Sequence, residues 1–87
     1  MYADEGVLKG LSERIIGGAF AVANGLGPGF LEKVYENALA FELRSHGLIV
    51  EQQRGIVVRH RSTDVGQYTA DLLIEDAVIV EHYCPAP

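Results

Sequence analysis

The sequence predicts an α+β domain in which two N-terminal helices pack on a three-stranded antiparallel sheet. Three observations carry this. Apolar residues recur at three- and four-residue steps through the first half of the chain. From Leu48 onward, β-branched, aromatic and aliphatic runs replace that helical spacing. Turn signals at Asn24-Gly25, Gly27-Pro28-Gly29, Gly47 and Glu75-Asp76 separate the segments.

The first helix is expected from about Asp4 to Asn24, with Val7, Leu8, Leu11, Ile15, Ala19, Val22 and Ala23 on its apolar stripe. Asp4 and Glu5 suit the positive end of the helix dipole. Gly17-Gly18 in its middle costs about 1 kcal/mol per glycine relative to alanine, so close packing against a neighbour is expected there. A second helix follows from about Phe30 to His46. Gly29 is its expected N-cap, Glu32 occupies the capping-box position, and Gly47 ends it. Leu31, Val34, Tyr35, Ala38, Leu39 and Phe41 form its apolar face. Leu48–Gln53 and Ile56–His60 read as one long strand interrupted by a bulge at Arg54-Gly55. Arg61–Val65 reads as a polar turn into a hairpin of Tyr68–Ile74 and Ala77–Tyr83.

Composition bounds the setting. The 87 residues suit one domain, 1–87, with a thin margin of stability. A 48% hydrophobic and 22% charged content is that of a soluble globular chain, and no apolar run approaches a membrane span of about 18 residues. Cys84 is the single cysteine, so no internal disulfide forms and a reducing cytoplasm is the expected location. A net charge of −5 argues against a general nucleic-acid-coating surface. Arg54, Arg59 and Arg61 nevertheless gather three of the seven basic residues in one segment, as candidate nucleic-acid contacts.

Two motifs lead nowhere specific. Gly25–Gly29 precedes a helix as phosphate-cradling loops do, but no Lys-Ser/Thr pair follows and no strand precedes, so a helix–helix turn accounts for it. His82 and Cys84 alternate on one strand, but His46 and His60 lie far away and no four-ligand zinc set assembles.

Carboxylates are the stronger signal. Asp71 and Glu81 interrupt apolar strands, where a charge is costly unless paired or holding a metal. A Glu75-Asp76-Ala77 loop that pairs Ile74 with Val78 sets Asp71 opposite Glu81 on one face. A two-residue Glu75-Asp76 loop would send them to opposite faces, but it lacks the Asn or Gly such turns need. The shared face is therefore expected. Glu32 and Glu36 lie four residues apart on one face of the second helix. A helix carboxylate converging on the two strand acids would complete an oxygen-rich site, although a first-turn glutamate such as Glu32 is also accounted for by helix capping. Three converging carboxylates suit Mg²⁺ or Mn²⁺, which activates water and stabilises charge on a phosphodiester oxygen. Pairing of Asp71 and Glu81 with Arg54, Arg59 or Arg61 is the competing account.

These residues also carry a resemblance. Gly29-Phe30-Leu31-Glu32-Lys33-Val34-Tyr35 fits the G-x-x-E-x-x-Y signature of the bacterial GxxExxY proteins. Leu26–Gly29, Glu36–Leu39, Glu51-Gln52 and Gly66–Leu73 are similar to that family's flanking segments, so the match runs from about Ile15 to Glu81. The family is placed in the PD-(D/E)XK nuclease-like superfamily. The resemblance implies a partial PD-(D/E)XK core with Glu32, Asp71 and Glu81 as metal-binding acids and Glu36 as a helper. It also implies Mg²⁺ or Mn²⁺ as cofactor and phosphodiester hydrolysis as the activity.

Two departures qualify the resemblance. Tyr83 stands where the E-x-K lysine is expected, and a neutral phenol supplies a hydrogen bond but no positive charge. The family continues past this strand with a further helix and strand, whereas here the sequence ends at Cys84-Pro85-Ala86-Pro87, for which truncation is the expected explanation. A weak or inactive nuclease-like domain is thus expected. The alternative is a non-catalytic module binding protein or nucleic acid, or a structural homo-oligomer with vestigial acids. Strand 77–83 is the expected dimer interface because its apolar run lacks a covering element.

Overall fold

A computed structural model describes residues 5–81 and bears out the α+β plan. Helices α1 (Glu5–Leu26) and α2 (Glu32–Ser45) precede strands β1 (Val50–His60), β2 (Thr63–Ile74) and β3 (Val78–Val80). The strands form one antiparallel sheet in the order β1-β2-β3.

Leu11, Ile15 and Val22 of α1 meet Leu39, Ala40 and Leu43 of α2, which in turn pack on Leu48, Val50, Leu72 and Ile74. Gly18 is where α1 touches α2. A Cβ there would lie 2.8 Å from Leu43 Cδ2, whereas one at Gly17 would meet nothing within 4 Å. One glycine of the pair thus serves the close approach, and the other is open. The helix stripes differ from the expected ones at their edges, since Val7, Leu31 and Phe41 are exposed.

Helix α2 starts two residues later than its spacing predicts. Its N-cap is Leu31, without a side-chain hydrogen bond, so Glu32 is the first helical residue and closes no capping box. The preceding loop is held by Tyr35 instead. Its hydroxyl donates to the Gly27 carbonyl at 2.6 Å and accepts from the Phe30 N–H at 3.2 Å, while the Phe30 ring packs edge-on against it. At the other end Gly47 adopts φ +87°. Its N–H reaches the Arg44 carbonyl and that of Leu48 the Leu43 carbonyl, which is a Schellman closure with Leu48 buried behind it. Arg14 of α1 donates to the His46 carbonyl at 2.7 Å and ties the helices together there.

In the sheet, Ile74 pairs with Val78 and Leu72 with Val80. Glu75 and Asp76 take positive φ in the connecting turn, and Ala77 N–H closes on the Ile74 carbonyl. The expected break at Arg54-Gly55 is absent, because both residues pair regularly with Ala70 and Thr69. The irregularities lie at Gln53, which has φ +53°, and between Val58 and Arg59, where Val65 is the extra residue of a bulge. The polar turn shrinks to Arg61-Ser62, both left-handed, as a two-residue hairpin requires. Thr63 already belongs to β2.

The β1–β2 hairpin outruns the helices. From Gln53 to Thr69 every residue but Ile56 is exposed. The radius of gyration is 14.4 Å, against about 12 Å for a compact chain of this length.

Candidate active site

The site is built around a carboxylate on α2. Glu36 projects from the buried side of the helix and is only 4% exposed, a position open to a charge only if donors surround it. Three do. Lys33 Nζ lies 2.9 Å and Gln52 Nε2 2.8 Å from Oε2, and Gln53 Nε2 lies 2.9 Å from Oε1. Burial pushes the Glu36 carboxyl upward, but the hydrogen bonds from Lys33, Gln52 and Gln53, with the Lys33 charge, outweigh it and hold the pKa below the usual value.

Gln52 is itself oriented. Arg44 donates to its Oε1 at 3.3 Å and clamps the Val50 carbonyl with Nε and Nη2, so the Gln52 amide nitrogen is turned toward Glu36 and Asn37.

Gln53 carries the link to the sheet. Successive strand residues normally point to opposite faces, yet Gln52 and Gln53 both reach Glu36. The left-handed backbone at Gln53 breaks the alternation. The same Nε2 that bonds Glu36 lies 3.3 Å from Asp71 Oδ1, so one amide nitrogen spans a helix carboxylate and a strand carboxylate.

Asp71 is half-buried on β2. Glu81, the last described residue, follows the Leu72–Val80 pair just past the end of β3, where continuation of the register would bring it across from Asp71. The Tyr68 hydroxyl addresses the same spot. Loss of water around its hydroxyl raises its pKa first, followed by a hydrogen bond to the Glu81 carboxylate and the charges of Glu81 and Asp71.

Not every expected residue joins. The helix acid linked to Asp71 is Glu36, one turn beyond Glu32. Glu32 is exposed and makes no hydrogen bond or ion pair with the described residues. Among the described residues no three Asp, Glu, His or Cys side chains stand close enough to hold a metal together, so the trio Glu32, Asp71 and Glu81 is not assembled. Tyr83, His82 and Cys84 lie outside the described residues. Arg54 pairs with Glu51, and Arg59 with Asp64 at 2.9 Å, so neither neutralises Asp71 or Glu81. The Gly25–Gly29 stretch is the interhelical turn that Tyr35 latches.

Gln52, Gln53 and Tyr68 are functional candidates that sequence reasoning missed. Two adjacent amides at the covered end of a strand, where alternation asks for one apolar side chain, were the available signal.

Among the described residues no helix is long and apolar enough to cross a membrane. No curated protein and no solved structure matches the chain. A family profile described as the PD-(D/E)XK nuclease superfamily matches residues 9–85, nearly the whole chain, including both helices and the Asp71–Glu81 hairpin. The chain belongs to the PD-(D/E)XK nuclease superfamily.

Proposed function

We propose that this is a nuclease-like domain of the GxxExxY group in which Asp71 and Glu81 hold one divalent cation, with weak phosphodiester hydrolysis. The observation that supports the reading is the Leu72–Val80 pairing, which continued by one step brings Glu81 across from Asp71, beside the buried Glu36 network. Two carboxylates with water completing the shell fit Mg²⁺ or Mn²⁺, hard cations that need oxygen donors and no all-protein cage. Such an ion supplies a Lewis acid for the phosphoryl oxygen and a more acidic bound water.

The chain's own residues prepare that position. Gln53 donates to Asp71 and fixes its orientation against α2. Glu36 holds Gln53 in turn, anchored by Lys33 and Gln52. Tyr68 donates toward Glu81 and, with its pKa raised, keeps its proton at neutral pH. Tyr83 replaces the lysine of the E-x-K pattern, and loss of one positioned transition-state charge costs about 10²–10³ in rate. A cytoplasmic setting belongs to the same proposal, on the strength of the lone Cys84.

Cleavage of single- and double-stranded DNA with Mg²⁺ or Mn²⁺ tests it. Wild-type protein should cleave slowly, Tyr83→Lys faster, and Glu81→Ala not at all. Robust wild-type cleavage that survives Glu81→Ala would refute the assignment.

A second reading has an observation of its own. Phe20, Phe41 and Ile49 are each about two-thirds exposed or more, and Ile79 on the short edge strand is 43% exposed. Apolar surface of this extent favours a non-catalytic homo-oligomer, with strand 77–83 as the proposed interface. Light scattering of wild-type and Ile79→Lys protein separates the two readings. A monomeric wild type, or an oligomer unchanged by Ile79→Lys, removes the interface at β3.

A further inference from the structure

We infer that the exposed β1–β2 arm, residues 54–69, grips the phosphate backbone of duplex DNA. This rests on the nuclease-like reading and adds the element and the form of nucleic acid it recognises.

The arm is basic on an acidic protein. Arg54, Arg59 and Arg61 against Asp64 leave residues 54–69 at +2, while the whole chain carries −5, so the remainder carries −7. Arg54 is paired with Glu51 at the base of the arm, so the charge counts chiefly toward the tip. A polyanion is repelled by the body and attracted only here. The tip is the least neutralised part. Arg61 sits in the left-handed turn with Ser62 and makes no hydrogen bond or ion pair with the described residues. Arg59 is held by Asp64 at an exposed surface, where such a pair contributes little and exchanges readily for phosphate.

Shape selects the duplex. A bare two-stranded ribbon is an element that the B-form major groove admits, whereas the deep, narrow A-form groove does not. Single-strand binding uses successive aromatic platforms. The arm carries only Tyr68 at its root and the His60 ring near its tip, about four strand residues or ~13 Å apart and so not on neighbouring bases. The root adjoins Asp71 and Glu81, so DNA lying along the arm runs toward the acids. From Asp64 to Asp71 is seven residues of strand, about 23 Å, or about seven base-pair rises.

The test is fluorescence anisotropy with a labelled DNA duplex of about 20 base pairs, two helical turns, titrated at several salt concentrations. Arg59→Ala/Arg61→Ala should weaken binding several-fold and flatten the slope of log K against log[salt] by about 2, near 0.9 for each phosphate no longer neutralised. Asp64→Asn should act in the opposite direction, tightening binding and steepening the slope by up to about 1. That gain cannot arise from misfolding.

The inference is overturned if wild type does not bind the duplex at low salt, or if both variants keep its affinity and slope. Equal affinity for a single strand of the same length also overturns it. So does a change of mass in light scattering without a change in DNA binding, which would make a second copy the occupant. Mn²⁺ binding, measured in parallel, should be unchanged in the arm variants. Its absence from wild type would refute the metal reading while leaving the arm to be judged by its salt slopes.

Discussion

Replacing Gln53 separates a backbone effect from a side-chain effect at the centre of the site. Gln53→Ala keeps the left-handed backbone but removes the amide that Glu36 Oε1 accepts from at 2.9 Å and that reaches Asp71 at 3.3 Å. A hydrogen bond to a charged group contributes about 1.5–3 kcal/mol. The Asp71 contact is long and exposed and adds little, so a loss of about 2 kcal/mol is expected, nearly all of it through Glu36. For a domain of this size that lowers Tm by about 8–16 °C. Gln53→Gly loses the same amide but relieves a non-glycine residue of its left-handed conformation, worth about 1 kcal/mol. The glycine variant should therefore lie between alanine and wild type. Urea unfolding followed by circular dichroism gives the order directly. A glycine variant less stable than the alanine variant, or an alanine variant equal to wild type, would refute the bridging role.

Other outcomes follow from the same geometry. Glu36 is held below the usual carboxylate value in the fold, so its contribution is present above the unfolded-state pKa and is lost as pH falls through the lowered folded value. Acid unfolding of Gln53→Ala should accordingly begin at higher pH than in wild type. An unshifted acid limb would count against the network. Glu36→Leu should destabilise by about 1–3 kcal/mol, because Gln52 and Gln53 lose their shared acceptor; calorimetry showing a more stable protein would refute this. Gly17→Ala should stabilise by about 1 kcal/mol, and Gly18→Ala should fall short of that gain because its Cβ meets Leu43 Cδ2 at 2.8 Å. Equal effects in paired urea titrations would contradict the helix contact. Tyr35→Phe should cost about 1 kcal/mol by releasing the Gly27 carbonyl and Phe30 N–H, which the same titrations measure.

How much of this was legible in the sequence depends on whether local chemistry or tertiary contact decides. The Glu75-Asp76-Ala77 loop was legible because turn chemistry fixes register, here the pairing of Ile74 with Val78. The Gly18 contact was legible because a glycine pair in a helix has few other reasons to exist. Glu32 looked like the site acid because it leads the G-x-x-E-x-x-Y signature. Glu36, four residues on, shares its face of α2 but lies one turn deeper, level with the strand amides, whereas Glu32 is left at the exposed first residue of the helix. Gln53 was hidden because a left-handed glutamine in a strand has no local cause. Its side chain meets two carboxylates, one on α2 and one on β2, that lie far from it in sequence. The bulge expected at Arg54-Gly55 is absent, and the register shift of β1 lies between Val58 and Arg59.

Mn²⁺ binding, by calorimetry or by the loss of the free-ion spectrum in electron paramagnetic resonance, tests the assignment of Asp71 and Glu81 most directly. Wild type should bind Mn²⁺, Asp71→Ala and Glu81→Ala should each abolish binding, and Glu32→Ala should leave it unchanged. Binding that survives Asp71→Ala, or that Glu32→Ala abolishes, would contradict the site.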